Sequence, residues 1–228
     1  MPVPTIDNAK ASNVREVLAF VLRTEFLGRD LSWMALRERL EYALEHWPSQ
    51  IAPQATSSRR AATEMVRELQ KTFVAGRSAR AVAIGAEVPL ARFAGSSMAA
   101  RQPFTVRDSD PAGQWWFDER WLGRFDDAMT RIDPRGGLWP DRAGWKRDLF
   151  RDRLAVRHDW NTMSRMWRLH LPPGAALIGL VGRTRRQPTW SRELVLLHDA
   201  NEFLPGGLEQ YYIPHLDRSI GWRVSQVG

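Results

Sequence analysis

The chain has 228 residues, 43% of them hydrophobic, with no cysteine and a formal charge of +7. That length holds one large domain or two small ones around a sizeable core, and the missing thiols exclude disulfides, thiolate metal sites and a cysteine nucleophile. No apolar run reaches the roughly 18–20 residues that cross a bilayer, and MPVPTIDNAKAS lacks the basic start and apolar middle of a secretory signal, so a soluble, cytoplasmic protein is expected, one that leaves its cell, if it does, by a route that needs no cleaved signal.

Residues 1–12 read as a lead. Asn13 with Glu16 three residues on has the form of a capping box, and Val14, Val17, Leu18, Val21 and Leu22 follow one helical face, ending near Gly28. A second helix starts at Asp30 or Ser32, carries Trp33, Leu36, Leu40, Leu44 and Trp47 as its stripe, and stops at Pro48. A loop over 51–58 leads to a third helix, about Arg59 to Ala75, with Ala61, Met65, Leu69 and Phe73 on one face. Residues 1–76 thus read as a helical module (an adaptor, delivery segment or lid) without a catalytic constellation. After Gly76 the pattern changes. Residues 81–95 hold short apolar runs broken by Gly and Pro, consistent with strands. SSMAARQPFTVRDSDPAG reads as loop and GQWWFDE as a strand. Glu119–Ile132 and Arg142–Val156 read as amphipathic helices. Strands are expected at Arg165–Leu171, Ala176–Val181, Glu193–His198 and Ile220–Val224. Strands and helices without regular alternation predict an α+β domain over 77–228, with a mixed, mainly antiparallel sheet.

Only three of the 33 basic residues are lysine, leaving 30 arginines spread along the chain among acidic residues. Such a balance suits a solvated surface, and it also suits nucleic acid, an anionic membrane surface or an anionic small molecule. There is no GxxxxGK[ST], no GxGxxG after a strand, no GxSxG and no HExxH. The five histidines, His46, His158, His170, His198 and His215, lack paired ligand spacing, and no metal is expected. His198-Asp199 has the form of a base with its orienting carboxylate, but no serine nucleophile accompanies it.

The chemistry-bearing stretch is Leu204 to His215, LPGGLEQYYIPH. Pro205, Gly206 and Gly207 form a turn in which glycine permits unusual backbone angles and close approach. The turn delivers a short strand. Alternation along it sends Glu209 and Tyr211 to one face and Gln210 and Tyr212 to the other, so only one of the two polar groups faces a given pocket. Upstream lie Arg92 in LARFAG, the aromatic strand with Trp115 and Trp116, a strand ending in LPPG, and Gln187 in GRTRRQ.

This order resembles the toxin domains of the ADP-ribosyltransferase and NAD glycohydrolase superfamily, in particular bacterial polymorphic-toxin members and the tuberculosis necrotizing toxin group. The resemblance covers about residues 85–228. It implies a split-sheet domain in which an early strand carries an NAD-binding arginine, a middle strand shapes the nicotinamide pocket, and a late strand entered through a glycine turn carries the catalytic glutamate or glutamine. Arg92 matches the first position, Trp115 and Trp116 the second, and Gln210 the third, with Gln187 and Tyr212 as further NAD-binding candidates. Arg101 and Arg107 are alternative sources of the guanidinium. Where the transferase pattern has a glutamate two residues after another Glu or Gln, Glu209 and Gln210 are adjacent here and Tyr211 follows, which favours hydrolysis over transfer.

The chemistry of NAD fits these residue types. A guanidinium clamps a diphosphate bidentately, and aromatic faces stack the rings. Breaking the nicotinamide–ribose bond develops oxocarbenium character, which a polar side chain on the ribose hydroxyls stabilises. The expectation is an NAD-consuming toxin or effector with NAD as substrate, Gln210 or Glu209 as the catalytic group, an immunity or inhibitor protein as partner, and a macromolecular ADP-ribose acceptor if transfer occurs. The alternative is a basic nucleic-acid-binding or nucleic-acid-cleaving protein. Arg92 and Gln210 are expected to meet across one cleft.

Overall fold

A computed structural model of the protein describes residues 14–46, 58–74, 79–99, 102–108, 113–134, 141–156, 162–188 and 203–227. Helix α1 (Val14–Val21) buries Val17, Leu18 and Val21 and widens into a π-helical turn over Leu22–Phe26. Gly28 closes it in a left-handed conformation, φ +73°. Helix α2 (Trp33–His46) buries Leu36 and Leu40, and the Ser32 hydroxyl accepts from the Ala35 amide at its start. Helix α3 (Ser58–Thr72) buries Ala62, Val66 and Leu69, with Phe73 completing the stripe just beyond its end. That face is rotated by one residue from the expected Ala61 and Met65. Met65 sits at its margin, packed against the same core.

The strands are β1 (Arg80–Gly85), β2 (Leu90–Ala94), β3 (Ser96–Ala99), β4 (Gln102–Asp108) and β5 (Trp115–Asp118). Helices α4 (Arg120–Ile132) and α5 (Arg142–Leu154) follow, then β6 (Arg165–His170), β7 (Ala176–Arg183), β8 (Gln187–Pro188), β9 (Phe203–Leu204), β10 (Glu209–Tyr212) and β11 (Arg223–Val227). Seven strands form one sheet in the order β1-β7-β10-β5-β2-β6-β11, and each adjacent pair is antiparallel. With five α-helices among the described residues and this sheet, the protein is α+β. The stretch read as a loop from residue 96 instead contains a hairpin, β3 with β4. Phe104 and Val106 alternate there with Thr105 and Arg107, a period-two pattern too short to stand out between Gly, Ser and Pro. The strand expected at Glu193–His198, the His198-Asp199 pair, Asn13 and Arg101 lie outside the described residues, and Arg107 falls in β4.

The sheet has two covered faces. On one, α1, α2 and α3 pack Val17, Leu18, Leu36, Leu40, Val66 and Leu69 against Ala81, Ile178, Leu180 and Tyr212. Further along that face, α4 and α5 pack Leu122, Phe150 and Leu154 against Ala91 and Phe117. The other face buries Ile84, Leu90, Trp116, Leu169, Leu177 and Ile213, with Leu216, Ile220, Trp222 and Val224 folded over them. The change of pattern at residue 76 therefore separates a helical stretch from a mixed one along the chain, whereas in space α1, α2 and α3 share a core with the sheet. Backbone hydrogen bonds join them as well: the Gly28 and Leu31 amides donate to the carbonyls of Ala81 and Ala79, and the Val74 amide donates to Arg183.

Candidate active site

The glycine turn is held from three sides. The Gly206 amide donates to the Asp152 carbonyl at 2.8 Å, Gly207 to the Thr184 carbonyl at 2.9 Å, and Leu208 to the Arg153 carbonyl at 3.0 Å. The buried Thr184 hydroxyl donates to the Arg153 carbonyl at 2.8 Å and accepts from the Gly207 amide at 3.0 Å. Gly206 has φ +69°, and a Cβ there would stand 2.7 Å from the Thr184 carbonyl oxygen, so no other residue fits without a shift. The end of α5, the end of β7 and the turn thus fix where β10 begins.

Strand β10 lies between β7 and β5. Glu209 pairs with Arg183, Gln210 with Gly182, Tyr211 with Val181 and Trp116, and Tyr212 with Leu180 and Trp115. Directly paired residues share a face and successive ones alternate. Gln210, Tyr212 and Trp115 therefore face the helices, while Glu209, Tyr211 and Trp116 face the other way.

Gln210 is buried, at 7% exposure. Phe73 closes over Gly182, its β7 partner, where a Cβ would come within 2.8 Å of the ring. Among the described residues the Gln210 carboxamide has no hydrogen-bond partner. Tyr212 packs at 4.6 Å between centroids on Trp115, which meets Phe73 at 5.7 Å. Its hydroxyl donates to Met65 Sδ at 3.7 Å, and burial pushes its pKa up.

On the opposite face, Glu209 is half-buried and its Oε1 accepts from the Tyr211 hydroxyl at 3.4 Å. Burial, with the Glu209 and Asp118 carboxylates nearby, pushes the Tyr211 pKa up to about 12. Asp118 pairs with Arg120 at 2.6 Å. The Arg92 guanidinium lies over the Trp116 ring, 5.6 Å from its centroid. Trp116 is fully buried, and its indole N–H has no acceptor among the described residues.

Arg92 and Gln210 are therefore not brought together. Arg92 shares a face with Glu209 and Trp116, and Gln210 shares the other with Trp115 and Tyr212. The cause is the β10 register: Tyr211 is the residue that pairs with Trp116, so Gln210, one step away, turns to the helices. Trp116 fills the core beneath Arg92, so its ring is closed to a nicotinamide, while Trp115 is half-buried in tilted contact with Phe73 and Tyr212. Gln187 is separate from both groups. It pairs with Leu204 in β8, and its Nε2 donates to the Lys71 carbonyl at the end of α3.

An opening missed from sequence lies on the Gln210 face. A cleft of about 370 Å³ is bounded by Trp121, Arg124 and Phe125 of α4, by Leu149, Phe150 and Arg153 of α5, and by Gly207 and Leu208 of the turn. Leu208 is two residues from Gln210 and packs against the apolar cluster that contains Phe117 and Phe150. The Arg124 guanidinium stacks on Trp121 at 4.8 Å. The two helices read as ordinary amphipathic segments; the one signal available was an aromatic and a basic residue recurring together, in WLGRF and LFRDR. Among the described residues no cluster of His, Asp and Glu is suited to hold a metal. Comparison with protein-family models, with curated proteins and with solved structures gives no match to this chain.

Proposed function

We propose that the protein consumes NAD by hydrolysing the nicotinamide–ribose bond, with Gln210 as the group that contacts the ribose. The observation that carries this reading is the placement of Gln210: it sits on β10 between β7 and β5, 7% exposed, three residues beyond a glycine turn that is hydrogen-bonded to the ends of α5 and β7. Its position beyond a glycine turn is the feature shared with the glycohydrolase toxins.

The chemistry needs little from the protein. The nicotinamide nitrogen is already cationic, so the C1′–N bond breaks with its electron pair going to the ring, and nicotinamide leaves neutral without an acid. Water adds to C1′ and loses its proton to solvent, giving ADP-ribose. Gln210 accepts a hydrogen bond from a ribose hydroxyl and strengthens it as the sugar becomes an oxocarbenium ion. A carboxamide does not deprotonate an acceptor, so hydrolysis is favoured over transfer to a macromolecule. In this reading the producing cell needs an immunity or inhibitor protein.

Incubating the purified protein with NAD and following nicotinamide and ADP-ribose tests it. Gln210→Ala is expected to lower the rate about 10²-fold or more, by analogy with loss of one transition-state hydrogen bond. Glu209→Gln, on the far face, is expected to leave most activity. Parent-like turnover by Gln210→Ala removes the assignment. A second reading, nucleic-acid binding, is favoured by one observation: among the described residues the cleft lining has two arginines and no acidic residue.

A further inference from the structure

We infer that the cleft between α4, α5 and the glycine turn binds a nucleoside diphosphate, stacking the base on its aromatic wall and holding the phosphates with Arg124 and Arg153. Three observations carry this. First, among the described residues the lining combines three aromatic rings, Trp121, Phe125 and Phe150, with two guanidiniums and no carboxylate. A purely structural helix–helix seam in a chain with 26 acidic residues would be expected to neutralise those cations. Here neither Arg124 nor Arg153 has an ion-pair partner among the described residues, while the neighbouring Lys146 is paired with Asp126 at 2.6 Å.

Second, the wall is rigid. Phe150 is 3% exposed and meets Phe117, Phe93 and Phe125 at 5.2, 5.8 and 6.0 Å. Arg153 is anchored through its own carbonyl, which accepts from both the Leu208 amide and the Thr184 hydroxyl. The Arg124 guanidinium lies over Trp121, 4.8 Å from the ring centroid, and a guanidinium held by an aromatic face can still use its N–H groups to fork onto phosphate oxygens. Third, about 370 Å³ lies within the roughly 300–1,000 Å³ of small-molecule sites, room for a base and ribose with the phosphates at the cationic rim.

The inference deepens the NAD reading, since the cleft would receive the ADP half of the dinucleotide, but it stands on the chemistry of the cleft alone. Isothermal titration calorimetry of the whole protein with ADP tests it, with adenosine and inorganic pyrophosphate as part-ligands. ADP is expected to bind more tightly than either. Arg124→Ala and Arg153→Ala are each expected to weaken ADP about tenfold or more, while Arg131→Ala, on α4 outside the cleft, leaves it unchanged. No ADP binding, or binding indifferent to both cleft arginines, overturns the inference. Pyrophosphate binding as tightly as ADP reduces the cleft to an anion site and overturns it too. ADP binding without nicotinamide release from NAD keeps the cleft and removes the hydrolase reading. Nicotinamide release unaffected by the arginine variants, with no ADP binding, does the reverse.

Discussion

Gly206 and Tyr211 are the residues whose physical state is most tightly tied to the site. Gly206 combines φ +69° with a Thr184 carbonyl oxygen 2.7 Å from where a Cβ would be. A left-handed non-glycine residue costs on the order of 1–3 kcal/mol, and the clash adds to it. Gly206→Ala is expected to destabilise by roughly 2–4 kcal/mol, read as a shifted urea midpoint. An unchanged midpoint would mean that the turn relaxes freely. Tyr211 sets the alkaline limit. Its folded pKa is raised from the ordinary 10 to about 12. Below pH 10 folded and unfolded chains both keep the proton; between 10 and about 12 the unfolded chain loses it first, so stability falls as pH rises through that window. Burial moves Tyr212 in the same direction. Denaturation midpoints across the window are expected to fall less steeply in Tyr211→Phe than in the parent, with part of the fall remaining from Tyr212.

At the scale of elements, α1, α2 and α3 act as one layer of the sheet domain. Ala79, Ala81, Ile178, Leu180 and Tyr212 are buried beneath them, and Phe73 covers Gly182 beside Gln210. Removing the helices would bare this apolar surface on the central strands β7 and β10. A fragment over 77–228 is expected to lose its cooperative unfolding transition and to bind a hydrophobic dye such as ANS, as loosely packed compact states do. A sharp transition in the fragment would instead make the helices a dispensable module. The helices also explain why Gln210 is buried, because its face of β10 is the one they cover.

At the scale of the whole molecule, the charge of +7 attracts polyanions whatever the site does, so salt separates the two functional readings. Non-specific binding to single-stranded DNA is expected to collapse between 50 and 200 mM salt, by about 10³-fold if some six phosphates are contacted. Nicotinamide release from NAD is expected to persist at the upper salt level. DNA binding that survives there, without nicotinamide release, would favour the nucleic-acid reading. Much of the architecture was legible because it is local. Apolar residues three and four apart in α1, α2 and α3 name helices, Pro205-Gly206-Gly207 names a turn, and the irregular mix beyond residue 76 names an α+β sheet domain. Even the division of Glu209 from Gln210 follows from alternation along one strand. What no local pattern contains is which strand lies beside which. Antiparallel pairing of β10 with β5 put Trp116 opposite Tyr211 and parted Arg92 from Gln210, and the docking of α4 and α5 onto the turn brought Arg124 and Arg153 to a common cleft. Those are contacts between residues distant in the chain, selected by register and by the burial of whole faces, and only the tertiary structure decides them.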